Sequence, residues 1–103
     1  MDPHTLADSI ARGTAPAILD VRSRAEYQRG HIPGAVHIPF WLLSLRMHDV
    51  PARPDEPLVV YCGHGPRAWM ARAVLERHGY TRIDLLTGHM HAWRSAGNVE
   101  SSD

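Results

Sequence analysis

The 103-residue sequence contains no lysine, only one cysteine and no long hydrophobic run. A single cysteine excludes an internal disulfide and any zinc or iron–sulfur site that needs several thiolates. The longest uncharged apolar stretch, residues 38–43, is far too short to cross a bilayer. The first residues are polar and lack the basic and apolar regions of a signal peptide. We therefore expect no membrane partner and a reducing, cytoplasmic setting.

Charge of one sign is not in excess, because 11 basic residues, all arginine, balance 11 acidic residues. A formal net charge of zero argues against a general nucleic-acid or membrane-surface binder. We interpret the absence of lysine as a compositional bias, although arginine is also the better ligand for oxyanions. The chain length and its 44% hydrophobic content predict one compact domain over residues 1–103, with no room for a second.

Segments typical of strands and helices alternate along the chain. Apolar runs bounded by turn residues predict four strands, at residues 17–21, 36–38, 58–61 and 82–86. Helix signals lie between and around them, at residues 1–10, 23–30, 41–47, 71–78 and 89–96. This alternation indicates the α/β class, with a parallel sheet covered by helices on both faces. Ligands of such sheets bind beyond the carboxyl ends of the strands.

The lone cysteine, Cys62, follows the clearest predicted strand and opens a glycine-rich loop. Residues 62–67 read Cys-Gly-His-Gly-Pro-Arg, and a helix follows. Two glycines let the backbone turn its N–H groups inward, and the helix start adds unpaired amides. We expect this nest to stabilise a thiolate, the nucleophilic form of cysteine. The guanidinium group of Arg67 can bind an oxyanion through two parallel hydrogen bonds. An inert buried cysteine at a simple turn is the less favoured interpretation.

Four segments in order resemble the single-domain rhodanese (thiosulfate sulfurtransferase-like) family over about residues 5–98. They are Asp20-Val21-Arg22 with Glu26-Tyr27, Gly30-His31-Ile32-Pro33-Gly34-Ala35, the strand and C-x-x-G-x-R loop at 59–67, and the closing segment at 86–97. The resemblance implies a three-layer fold with a central parallel sheet of about five strands. It also implies that Cys62 takes a sulfane sulfur from a donor such as thiosulfate and forms a persulfide. The persulfide then passes its outer sulfur to a thiol or to cyanide, without a metal or an organic cofactor.

The resemblance also implies which residues bind substrate and which partners are needed. Gly63, His64, Gly65, Pro66 and Arg67 would bind the substrate by cradling the terminal sulfur or the departing sulfite. The partners are a small-molecule sulfur donor and a thiol acceptor, which can belong to a protein. Because the chain has no second cysteine, the persulfide must be discharged by an outside acceptor.

Two alternative functions remain beside sulfur transfer. Cysteine phosphatases resemble C-x5-R, whereas this chain has four residues between Cys62 and Arg67, so the shorter loop argues against phosphate hydrolysis. Rhodaneses active on thiosulfate often carry a basic residue directly after the cysteine, where this chain has Gly63. That departure keeps open a persulfide carrier or a redox-responsive binding module with little turnover on free thiosulfate. His64, when protonated, can replace some of the missing charge.

Asp20 and Arg22 follow the first predicted strand, whose carboxyl end should neighbour that of the strand before Cys62. They could line the rim of the active site. The favoured interpretation is a structural ion pair that holds the following turn and helix.

Histidines and tryptophans complete the set of candidate residues. His89 and His91 are two positions apart without an acidic or cysteine neighbour, so we expect no metal site. His89 stands where the family usually has a second glycine, which predicts a different turn. Trp93 is predicted to lie in the core. An apolar stripe is predicted to pack on the sheet, formed by Trp41, Leu42, Leu45 and Met47.

Overall fold

The sheet is the centre of the fold in the computed structural model, which describes residues 1–102. Its strands are β1 (Ala17–Asp20), β2 (Val36–His37), β3 (Leu58–Tyr61) and β4 (Ile83–Leu85). All pairings are parallel, in the order β2-β1-β3-β4. The α/β prediction is confirmed, but the expected five strands are wrong for these residues, which form four. Outside the four strands, residues 1–102 show only an isolated antiparallel bridge between His31 and Ser101, which is one residue long on each side and makes no fifth strand. Asp103, the last residue of the predicted domain, lies outside the described range.

Four α-helices surround the sheet: α1 (Pro3–Ala11), α2 (Arg24–Arg29), α3 (Pro66–Arg77) and α4 (His89–Ser95). At the start of α1, the Asp2 side chain accepts the Thr5 N–H at 2.8 Å. At the start of α2, Ser23 and Glu26 form the reciprocal capping box that satisfies otherwise unpaired amides. Within residues 1–102, none of the helices combines the length and apolar character needed to span a membrane.

Residues predicted as a helix at 41–47 instead form two 3₁₀ segments, Phe40–Leu45 and Met47–Asp49. A 3₁₀ helix repeats every three residues, so Phe40 and Leu43 share the face that packs on the core. Trp41 and Leu45 consequently point outward, with 54% and 76% of their surface exposed. The predicted packing stripe is therefore wrong at Trp41 and Leu45.

Each face of the sheet has its own hydrophobic core because strand side chains alternate between faces. On one face, α3 and the 3₁₀ segments cover the sheet, with these buried members: Leu19, Leu43, Leu58, Val60, Ala71 and Leu75. On the other face, α1 and α4 cover it, with these buried members: Leu6, Ile18, Val59, Tyr61, Met90 and Trp93. The three-layer arrangement is confirmed, and so is the core position of Trp93, which is 1% exposed.

Candidate active site

Cys62 lies immediately beyond the carboxyl end of β3, in the centre of the sheet, and is fully buried. Its Sγ accepts a hydrogen bond from the Gly65 N–H at 3.0 Å. Gly65 has φ +142° and ψ −45°, a conformation that suits glycine because it has no Cβ. Pro66 then begins α3, where its missing N–H costs nothing. The loop therefore directs a backbone donor at the sulfur, an arrangement that stabilises negative charge there.

The first turn of α4 holds the other side of the cysteine loop. The Met90 N–H donates to the Cys62 carbonyl at 2.9 Å, and the His91 N–H donates to the Gly63 carbonyl at 3.1 Å. The Cys62 N–H in turn donates to His89 Nδ1 at 3.2 Å. His89 and Met90, which are distant from Cys62 in the sequence, thus hold the N–H and the carbonyl of Cys62. This role of His89 was not predicted from the sequence. The one feature of the sequence that pointed to it was a histidine at a turn position where the family usually has glycine.

A cleft of about 220 Å³ opens above the loop. Gly63, His64 and Arg67 of the predicted site contribute to its lining, whereas Pro66 is exposed at the start of α3. The remaining lining comes from α2, α4 and the segment after β1: Arg22, Glu26, Met90, His91, Arg94 and Ser95. Cys62 is buried and is not part of this lining, but Gly63, the next residue, is. Two larger grooves, of about 540 and 580 Å³, are lined by no residue of the cysteine loop. We therefore place the candidate site at the smaller cleft.

Arg67 is not a free cation at this cleft, because Glu26 holds it with two hydrogen bonds. Arg67 Nη1 lies 2.5 Å from Glu26 Oε1, and Nη2 lies 3.1 Å from Oε2. The hydrogen bonds from Arg67, helped by those from Ser23, lower the pKa of Glu26 to about 2. A Cβ at Gly63 would lie 3.0 Å from Arg67 Nη2. The guanidinium therefore fills the space beside Gly63, and its charge is neutralised.

Asp20 and Arg22 are buried at the carboxyl end of β1, with 0% and 2% of their surface exposed. Arg22 Nη2 lies 2.8 Å from Asp20 Oδ2 and also donates to the Gly30 carbonyl at 2.8 Å. The Tyr61 hydroxyl donates to the same Asp20 oxygen at 2.7 Å. Burial, and then the charge of Asp20, raise the pKa of Tyr61. These contacts fit the structural ion pair, while Arg22 also reaches the lining of the cleft.

Two histidines flank the opening of the cleft. The rings of His64 and His91 lie 5.1 Å apart between centroids, and both residues are exposed. The described part of the chain, residues 1–102, contains no group of three or more His, Cys, Asp or Glu side chains that could hold a metal ion. The reactive group of the site is therefore a buried sulfur that accepts a backbone N–H and lies below a cleft with polar walls.

Comparison with known proteins gives a consistent result. A family model described as a rhodanese-like domain matches residues 2–96. A sulfurtransferase of Allochromatium vinosum is 34% identical over 97 residues, covering 94% of this chain and 89% of that protein. The thiosulfate sulfurtransferase GlpE of Pseudomonas fluorescens is 30% identical over 93 residues, covering 88% and 82%. The crystal structure of the Alr3790 protein from Anabaena is 29% identical with a TM-score of 0.89, covering 100% of this chain and 82% of that one.

Proposed function

The chain belongs to the rhodanese-like domain family, and from that premise we propose that it is a sulfurtransferase whose Cys62 carries the sulfur as a persulfide. The observation that supports this most is the short contact between Cys62 Sγ and the Gly65 N–H, 3.0 Å. That donor favours negative charge on Sγ, both in the attacking thiolate and when Cys62 leaves again as a thiolate. The family and the sulfurtransferases among its relatives support sulfur transfer in general.

The proposed reaction has two covalent steps. The Cys62 thiolate attacks the sulfane sulfur of a donor such as thiosulfate, a new S–S bond forms, and sulfite leaves with the electron pair of the broken S–S bond. The thiolate of an acceptor, or cyanide, then attacks the outer sulfur, and Cys62 leaves as a thiolate. The remaining loop residues, 63–67, would surround the transferred sulfur. Cys62 must be a free thiol, a state that a reducing compartment such as the cytoplasm maintains.

One structural observation favours a second candidate, a persulfide carrier with little turnover on free thiosulfate. Thiosulfate is a dianion, and a binding site for it benefits from uncompensated positive charge. Here Glu26 neutralises Arg67, and Gly63 adds no charge of its own. A partner protein that delivers sulfur through contacts outside the cleft would not depend on that charge.

Intact-mass spectrometry tests the proposal directly. The reduced protein is incubated with thiosulfate, or with a persulfidated thiol as a second donor, and then treated with cyanide. We expect a gain of one sulfur atom that cyanide removes and that the Cys62→Ser variant does not show. Fast loading from thiosulfate supports the enzyme, and loading from the persulfide alone supports the carrier. If neither donor adds sulfur, the proposed function is wrong.

A further inference from the structure

We propose that His89 is a positioning residue for Cys62, and that its ring, inserted beneath the cysteine loop, sets the direction of the reactive sulfur. This inference deepens the proposed sulfur transfer and rests on it for its functional meaning. It concerns a residue that contacts the loop backbone and acts through Cys62.

The backbone of His89 adopts an unfavourable conformation in order to place the ring. With φ +53°, it is the one non-glycine residue of positive φ among residues 1–102. Left-handed geometry costs free energy for residues with a Cβ, although histidine, asparagine and aspartate accept it more often than most. Such outliers persist where surrounding contacts impose them, and they concentrate at functional sites.

The ring of His89 provides the acceptor for the Cys62 amide. His89 is 6% exposed, and its Nδ1 lies 3.2 Å from the Cys62 nitrogen. Because a backbone N–H can only donate, Nδ1 must be unprotonated, and the neutral ring carries its proton on Nε2. Burial, and to a smaller extent the charge of nearby His64, lower the pKa of His89. Both effects keep the ring in the form that accepts this hydrogen bond.

The same ring also lies beside Gly65, the residue that donates to the sulfur. A Cβ at Gly65 would lie 3.5 Å from His89 Nε2 and 3.7 Å from Cδ2, which is ordinary contact distance. The Gly65 N–H donates to Cys62 Sγ at 3.0 Å. One buried ring therefore accepts a hydrogen bond from residue 62 and lies beside residue 65, at the two ends of the loop that holds the sulfur.

Loss of the ring would leave the loop with fewer constraints. The Met90 and His91 amides would still hold the carbonyls of Cys62 and Gly63. The Cys62 N–H would lose its acceptor, and the space that the ring fills beside Gly65 would be empty. We expect the sulfur to lie less often beside the Gly65 N–H, and a thiolate that lacks this donor forms less readily, which slows its reactions.

Two substitutions separate the hydrogen bond from the backbone strain. His89→Gly relieves the strain, since glycine accepts positive φ, but removes the acceptor. His89→Asn tolerates positive φ and keeps an acceptor, because its Oδ1 occupies nearly the place of Nδ1. The matched control is His48→Asn, whose side chain is 79% exposed and lies outside the cleft.

The test measures the rate at which iodoacetamide alkylates Cys62, by intact mass, together with the thermal midpoint of each variant. We expect His89→Gly to react at least about tenfold more slowly than wild type while remaining folded, the factor that a lost hydrogen bond to a charged group brings. We expect His89→Asn and His48→Asn to stay within about threefold of wild type. A ¹⁵N NMR spectrum of the wild-type His89 ring should show Nδ1 unprotonated.

Two outcomes would overturn the proposal. One is alkylation of His89→Gly at the wild-type rate or faster, and the other is a His89→Asn rate as low as that of His89→Gly. Alkylation needs no sulfur donor, so it reports on His89 even in a protein that takes up no sulfur. Absence of sulfur uptake by wild type contradicts the proposed function, and these alkylation rates separately decide the role of His89.

Discussion

Replacing Glu26 with glutamine should make the cleft a better site for thiosulfate. Glu26→Gln removes the negative charge beside Arg67 and changes little else. The glutamine Oε1 can still accept the Ser23 N–H, which Glu26 accepts at 3.1 Å, so the capping box is preserved. The guanidinium of Arg67 then becomes a net positive charge at the cleft, close to Gly63.

The size of the effect follows from Coulomb's law. Removing one negative charge about 8 Å from a dianion strengthens its binding by about 1 kcal/mol even at the dielectric constant of water. That energy corresponds to about a fivefold faster loading of Cys62. The gain should shrink as salt is added, because the Debye length falls to about 8 Å at physiological ionic strength.

The assay is the second-order rate of sulfur loading from thiosulfate, followed by intact mass at low and at physiological ionic strength. Glu76→Gln is the matched control, since Glu76 pairs with Arg72 at 3.6 Å at the far end of α3. It should load sulfur at the wild-type rate. A persulfidated donor without net charge should load both variants and wild type equally.

Two results would refute this reasoning. Loading of Glu26→Gln at or below the wild-type rate would mean that Glu26 orients Arg67 usefully and does not oppose the donor. A gain of equal size with the uncharged donor would mean that the substitution acts on the loop itself and not through charge.

Three further predictions concern stability, each measured by urea unfolding. Tyr61→Phe removes a hydroxyl that hydrogen-bonds buried Asp20 and accepts a backbone N–H; we expect a loss of about 2 kcal/mol, and an unchanged midpoint would contradict it. Gly88→Ala places a Cβ 2.4 Å from the Ala92 Cβ, whereas one at Gly79 meets nothing within 4 Å. Alanine at either glycine carries left-handed strain, so the strain cancels in the comparison. We therefore expect Gly88→Ala to lower the free energy of unfolding by at least about 1 kcal/mol more than Gly79→Ala does, and equal losses would contradict the close contact. Folding lowers the pKa of Glu26 to about 2, so Glu26 stabilises the fold at pH values above the ordinary pKa of glutamate. This stabilisation is lost as the pH falls through about 2. Because solvent screens this ion pair, its contribution is limited to about 1 kcal/mol. Glu26→Gln should therefore weaken the dependence of the free energy of unfolding on acidic pH, and an unchanged dependence would exclude a contribution from Glu26.

Local signals were sufficient to predict the framework of the fold. The four apolar runs became the four strands, because each is bounded by residues that end regular structure. Ser23 and Glu26 formed their capping box, since that motif depends on residues three apart. Cys62 lies at the carboxyl end of β3, as the strand and loop pattern predicted.

Long-range contacts could not be predicted from the sequence. Glu26 and Arg67 are 41 positions apart, and nothing local shows that they pair. In the 3₁₀ segment, apolar residues occur at both possible spacings, so only packing against α3 decides that Leu43 is buried and Leu45 exposed. The strained backbone of His89 is also imposed by its tertiary surroundings.

The hydrogen bonds from α4 to the cysteine loop have a consequence for protein engineering. Residues 62–67 owe their shape to the amides of Met90 and His91 and to the ring of His89. A transplant of the six-residue loop into another α/β scaffold would leave these anchors behind. A functional graft must therefore carry the turn between β4 and α4 as well, at the same spacing from β3. The transferable unit is a pair of neighbouring strand ends with both of their following helices.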